Sequence, residues 1–410
     1  MPHKLQPTTE PGRRLVALAE AHAAEFAKRV PEHDRDGSFP YENLAQLKES
    51  GYLYAPVPKA YGGMGVESVH DILVASSRLA EGDPSVTLGV NMHLITMMSM
   101  ARMYEVASRK EDARRAAAAG EQMRGIVESG AMIGAAVSEP DQELLSPKSR
   151  AVREGDDWVL SGRKIISSMA PAATHFAVAL GYTDDSGEER YAYAIVPRDT
   201  PGITVHDDWD ALGMRASGSV SITFDQCRIP TPGRGAKGGA ITTAYLEQTL
   251  VSGPAHASAS LGVAEAADRI VVETIAQRRQ RKGDDAVRPT GRHLAAENAI
   301  DLAAARGIFD RAVALIDEHY AAHPTGYGTL EDANAIFAQV QAAKAFVTAA
   351  AVRIVDRAMT IVGGGAYMTA HPLSRLYRDA RAGQFMQPLG ANLAFEYIGA
   401  VALGMSPERL

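Results

Sequence analysis

One stretch near the C-terminus limits what this chain can become. Apolar residues recur at helical spacing through Ile336, Val340, Ala343, Val347, Ala351, Ile354, Ala358 and Ile361, which predicts a long helix running into Val362. Gly363, Gly364 and Gly365 follow at once, and three residues without Cβ favour a sharp reversal there. Such a turn also lets a ligand approach the main chain closely. Pro372 then opens a short helix carrying Tyr377-Arg378-Asp379-Ala380-Arg381, a run of alternating charge. A glycine triplet alone is more often a helix stop than a ligand site. Followed by P-x-x-R-x-x-R-D-x-R, it is a much stronger signal.

A chain of 410 residues exceeds one ordinary core, so two or three subdomains are expected. The net charge of −7 comes without a large basic patch, which argues against nucleic acid as a partner. The opening MPHKLQPTTEPGRRL has no apolar signal region, and no later run is long and apolar enough to predict a membrane span. The single cysteine, Cys227, excludes an intrachain disulfide and a thiolate metal cage, and no metal site is read. A cytoplasmic protein is the expectation.

Residues 1–130 read as helices. Leu15, Ala19, Ala23, Phe26 and Val30 form one apolar stripe, and Asp83-Pro84 caps a helix carrying Met92, Met97, Met98, Met100 and Met103. Methionines at this density fill an irregular core or wall a pocket for an apolar substrate. His93 lies among them, either as a core histidine or as a polar group facing a bound ligand. From about Gly130 the period changes. Short segments rich in β-branched and aromatic residues, Trp158–Leu160 and Lys164–Ser167 among them, separated by turns such as Asp184-Asp185-Ser186-Gly187, predict a small antiparallel β domain over 131–238. Strand-like segments never alternate with long helices, so a Rossmann unit is not expected. Over 239–410 the pattern is helical again, with helices expected at Thr242–Arg278, Ala295–Tyr320 and Leu330–Val362 before the closing segment.

Several motifs along this α+β chain resemble the acyl-CoA dehydrogenase family. They are Tyr61-Gly62-Gly63-Met64-Gly65, Ala136-Val137-Ser138-Glu139-Pro140, Trp158 through Lys164 as W-x-x-x-G-x-K, and Leu212-Gly213-Met214-Arg215-Ala216-Ser217 continuing to Ile229-Pro230. The glycine turn and the arginine run complete the set. The resemblance covers about residues 10–400 and implies an N-terminal helical domain, a middle β domain and a C-terminal four-helix bundle. It implies FAD, with FMN the alternative, held between the β domain and the bundle. On the resemblance, Val137, Ser138, Ile166 and Ser168 meet the isoalloxazine ring, while Thr360, Gly363 and Gly364 of a neighbouring subunit approach the pyrophosphate. A homodimer or homotetramer is implied, with an electron-transfer flavoprotein or a flavin reductase as electron partner.

The family's reaction needs a base at the α-carbon of an acyl thioester. Counted without a gap from the glycine turn, the usual catalytic glutamate falls on Gln387, followed by Pro388-Leu389 instead of Gly-Thr. An amide cannot accept that proton near neutral pH. Relatives that carry the glutamate on the first bundle helix would place it at Ser252. The nearest acid, Glu247, stands five residues earlier, about 140° round a continuous helix. After Pro140, Asp141-Gln142-Glu143-Leu144-Leu145 brings acids where relatives have small residues, a poor match for a polyanionic CoA tail. The leading expectation is α,β-dehydrogenation of a CoA- or carrier-linked acyl thioester, with Gln387 and His93 in the active site. The alternatives are a reduced-flavin-dependent monooxygenase or N-oxygenase of the same fold, or a non-catalytic partner subunit.

Overall fold

The structure, a computed structural model, describes residues 4–141, 145–233, 235–283 and 288–407. Five helices come first: α1 (Glu10–Asp36), α2 (Tyr41–Glu49), α3 (Val69–Gly82), α4 (Pro84–Arg109) and α5 (Ala113–Ser129). The stripe of α1 expected from sequence is its buried face, packed on α3. Asp83 caps α4 by accepting from the Ser85 and Val86 amides at 3.0 and 3.1 Å.

Among the described residues eight strands follow: β1 (Ile133–Ala136), β2 (Arg150–Glu154), β3 (Asp157–Ser167), β4 (His175–Thr183), β5 (Glu189–Pro197), β6 (Ile203–Val205), β7 (Val220–Ile229) and β8 (Ala236–Lys237). They form one sheet in the order β6-β7-β3-β2-β4-β5-β8, with β1 beside β4. The expected antiparallel pairing holds for most neighbours, but β1 runs parallel to β4, Ile133 opposite His175. The strand enters from α5 and not from a hairpin, so no tight turn forces an antiparallel direction. The two segments expected at Trp158–Leu160 and Lys164–Ser167 are a single strand, β3, whose register against β7 slips between Leu160 and Gly162 and again between Lys164 and Ser167. One face of the sheet buries Phe176, Val178, Leu180, Ile222, Phe224 and Cys227 in a core of its own.

The C-terminal part comprises α6 (Thr243–Thr249), α7 (Ser252–Lys282), α8 (Pro289–Ala322), α9 (Leu330–Val362), α10 (Pro372–Ala382) and α11 (Ala391–Ala402). The expected four-helix bundle is thus three long helices, with the fourth place shared by two short ones packed on α9. Prolines 372 and 388 and the glycines around them divide that closing segment. α9 keeps the limits its sequence predicts. Thr329 and Asp332 make a reciprocal capping box at its start, and Gly363, at φ 88°, stops it. Among the described residues, no helix is long and apolar enough to cross a membrane.

Arg378 and Asp379 of α10 hold the three parts together. Arg378 pairs with Asp34 of α1 at 2.5 Å and donates to the Leu212 carbonyl at 3.2 Å. Asp379 accepts from the Met214 amide at 2.6 Å and pairs with Arg375 at 2.9 Å. A Cβ on Gly213 would lie 2.3 Å from the Arg378 carbonyl oxygen, so only glycine lets the two segments meet. The charge run of this short helix is therefore an internal fastening.

Candidate functional site

A cavity of about 1230 Å³ lies between the sheet and α4, α6, α7 and α10. Val137, Ser138, Ile166 and Ser168 all line its sheet side. Two of the sequence motifs meet behind them. Glu139, next to Ser138, forms a buried ion pair with Lys164 of β3 at 2.6 Å and accepts from the Lys148 and Ser149 amides at 2.5 and 2.9 Å. Lys164 also reaches the Val137 carbonyl at 3.3 Å. Burial pushes the Lys164 ammonium down to about 8, and Glu139 partly offsets this. Burial would raise the Glu139 carboxyl, but Lys164 and the hydrogen bonds more than offset it and leave it lowered. The pair fixes the loop that carries Ser138.

Ser168 hydrogen-bonds the Ser219 hydroxyl at 2.8 Å, and Ser219 bonds Ser217 at 2.7 Å, a chain of neutral donors and acceptors along the wall. Ile166 lies in the second register slip of β3 with φ 55°. A β-branched residue in the left-handed region is strained, and strain of this kind gathers at binding sites. Its side chain is 57 % exposed and faces the cavity. The bulge turns an apolar group out of the sheet and into the pocket.

Met92, Thr96, Ser99 and Met103 line the opposite wall, at the spacing of one helix face of α4. His93 is not on that face. It is fully buried, accepts from the Ile133 amide through Nδ1 at 3.0 Å and stands edge-on to Tyr54 at 5.9 Å. Burial lowers it to about 4, so the ring is neutral. The expectation of His93 in the active site is corrected: it anchors α4 to β1. One step round the helix turns its side chain about 100° from Met92.

Gln387 lines the cavity with an exposed side chain. The backbone on either side of it is clamped by Lys344 of α9, whose Nζ donates to the Met386 carbonyl and, at 2.7 Å, to the Leu389 carbonyl. Burial pushes the Lys344 ammonium down to about 7. A lone lysine between Ala343 and Val347 on a buried face was the signal available in the sequence.

Glu247 and Ser252 both line the cavity. The helical count that turned Glu247 away from the site assumed one continuous helix. α6 ends at Thr249 and α7 starts at Ser252, so the count does not carry across. Thr360, Gly363 and Gly364 do not line this cavity. The Thr360 hydroxyl donates to the Asp356 carbonyl at 3.2 Å, and a Cβ on either glycine would meet nothing within 4 Å. Asp141 is exposed, and Gln142 to Leu144 lie outside the described residues.

Helices, sheet and cavity in this order define the acyl-CoA dehydrogenase architecture. The chain matches that family's N-terminal domain over residues 13–121, its middle domain over 134–227 and its C-terminal domain over 243–392, and belongs to the family. Within it, the chain is 36% identical to the amino sugar nitrososynthase RubN8 of Streptomyces rubradiris, over 98% of this chain and 92% of the relative. It is 35% identical to an L-evernosamine nitrososynthase of a Micromonospora species, over 98% and 93%. The crystal structure of KijD3 in complex with FMN and dTDP-3-amino-2,3,6-trideoxy-4-keto-3-methyl-D-glucose superposes with a TM-score of 0.88 at 34% identity, covering 98% of this chain and 96% of KijD3. These relatives overturn the leading expectation of acyl-thioester dehydrogenation. They favour the oxygenase alternative, in keeping with an amide at position 387.

Proposed function

We propose that this protein is a reduced-flavin-dependent N-oxygenase acting on the primary amine of a nucleotide-linked amino sugar. The observation that carries the reading is Gln387. The family's usual base position holds a neutral amide whose backbone is fixed by Lys344, so α-proton abstraction has no agent there. The nitrososynthase relatives supply the substrate class.

The sheet wall suits a flavin ring. Its donors are hydroxyls and main-chain groups, which can bond ring carbonyls and nitrogens without adding charge, and Ile166 offers an apolar face. We assign Val137, Ser138, Ile166 and Ser168 to the isoalloxazine and favour FMN, as in KijD3. When bound in reduced form, the flavin supplies the electrons that activate dioxygen, so that one oxygen atom passes to nitrogen and the other leaves as water. Ser168 orients the ring edge, braced through Ser219. The methionines of α4 keep bulk water from the reacting atoms. Gln387 hydrogen-bonds substrate without competing for protons.

A separate flavin reductase is the fitting electron partner, since the sheet pairs mainly antiparallel and forms no Rossmann-type nicotinamide unit among the described residues. Thr360, Gly363 and Gly364 would serve a neighbouring subunit of a homodimer or homotetramer. Exposed Tyr367, Phe395 and Leu403 in the closing segment are apolar surface for such an assembly.

The test is to supply the protein with FMN, NADH, a flavin reductase and a dTDP-3-amino sugar, and to follow product mass. Oxygen incorporated at nitrogen from labelled dioxygen is the expected result. Unchanged sugar, together with anaerobic bleaching of flavin by an acyl-CoA, would overturn the reading.

A further inference from the structure

Glu247 is the one acidic side chain lining the cavity among the described residues. It is 6 % exposed, and neither lysine nor arginine pairs with it there. Its Oε1 meets Nε2 of His319, which reaches across from α8. Around them stand Tyr320, Tyr327, His323 and Arg102. Arg102 is engaged elsewhere: it donates to the His323 carbonyl at 2.5 Å, pairs with Glu105 at 3.1 Å and lies 4.4 Å over the Tyr320 ring. A carboxylate kept in a mostly apolar wall, with one imidazole as its partner, is costly unless a cation meets it.

An alkyl ammonium is such a cation. A simple primary amine is protonated at neutral pH and then has no lone pair to accept oxygen. Resting on the oxygenase reading above, we propose that Glu247 receives the substrate's amine, binding its ammonium form and taking one proton from it. In that step an N–H bond breaks, its electron pair stays on nitrogen, and an O–H bond forms on the carboxylate. No oxidant takes part. His319 acts as a positioning residue: it fixes one carboxylate oxygen and leaves the other for the substrate.

The competing view is that the pair only ties α6 to α8. Glu247→Gln separates the two, because the amide can still hydrogen-bond His319. Binding to the FMN-loaded protein is measured by calorimetry for two probes, a dTDP-3-amino sugar and the same dTDP sugar with hydroxyl replacing the amine. Wild type should prefer the amine by on the order of 10–100-fold, as for hydrogen bonds to a charged group. In Glu247→Gln the preference should collapse to about threefold or less, with the hydroxyl sugar bound as before. Glu247→Asp keeps the charge and should keep a preference of roughly tenfold, which preserves the test if the glutamine variant does not fold. A glutamine variant that retains the amine preference, or an aspartate variant that loses it, overturns the proposal. If wild type binds neither sugar, the nucleotide-sugar reading fails and the proposal with it.

Discussion

Ile166 holds a left-handed backbone conformation to place an aliphatic side chain in the cavity. That geometry costs on the order of 1–3 kcal/mol, which asparagine largely avoids. Ile166→Asn should therefore raise stability by about 1 kcal/mol while weakening flavin binding. Thermal unfolding of the flavin-free protein and flavin retention on desalting read the two effects separately. Gln387 gives a second prediction. Gln387→Glu adds a carboxylate to the cavity wall, and if the site oxygenates amines that charge should cost at least ~10-fold in oxygenated product. It should yield no enoyl product from acyl-CoA. A gain of desaturation instead would return the site to the family's usual chemistry. His93 carries the opposite lesson. Met92 and His93 are neighbours in sequence, and only the pairing of His93 with Ile133 decides which of them faces the cavity.

At the scale of elements, α9 does two tasks. Its apolar stripe packs on α7 and α8, and Lys344 on the same helix clamps the segment of Gln387. Lys344→Met should leave global stability within about 1 kcal/mol, since a buried amine and its desolvation cost are exchanged for an apolar chain. Oxygenation should fall because Gln387 loses its fixed backbone. The sign of the pH effect follows from the lowered ammonium. The folded state gives up the proton near pH 7 while the unfolded chain keeps it to about 10.4, so wild-type stability rises with pH across that window. Level with wild type near pH 7, Lys344→Met should fall progressively below it towards pH 10, by up to about 4 kcal/mol, which denaturant melts at stepped pH would record.

Elements with local causes were the legible ones: α9 was bounded by its capping box and its glycine stop, and α4 by Asp83-Pro84. The parallel direction of β1, the fusion of two segments into β3 and the break between α6 and α7 depend on distant partners, and no periodicity reports them. The site was legible in the same proportion. Ser138, Ser168 and Gln387 were singled out by the resemblance of their motifs to the family's, and all three line the cavity. Lys344 stood out only as a lone lysine on a buried face, and what it and His319 hold was not legible, because their partners lie 42 to 72 residues away in sequence.

For the whole molecule, the junction of Asp34, Gly213 and Arg378 sets how the three parts meet. Gly213→Ala would drive a methyl into the α10 backbone, since its Cβ would sit 2.3 Å from the Arg378 oxygen. A loss of about 3 kcal/mol is expected, as for overpacking against unyielding main chain. Limited proteolysis should then cut between the sheet and the C-terminal helices faster than in wild type, and an unchanged digestion pattern would mean that the junction tolerates the methyl. The same junction also bears on biosynthesis. Asp34 and its partner Arg378 are 344 residues apart, nearly the length of the chain. At ~5–20 residues per second, a ribosome adds the second charge about 20–70 s after the first. The first helices must wait that long with a carboxylate meant for a junction still facing solvent. Chaperone demand during translation should therefore be set by when α10 emerges, more than by the folding of the first helices.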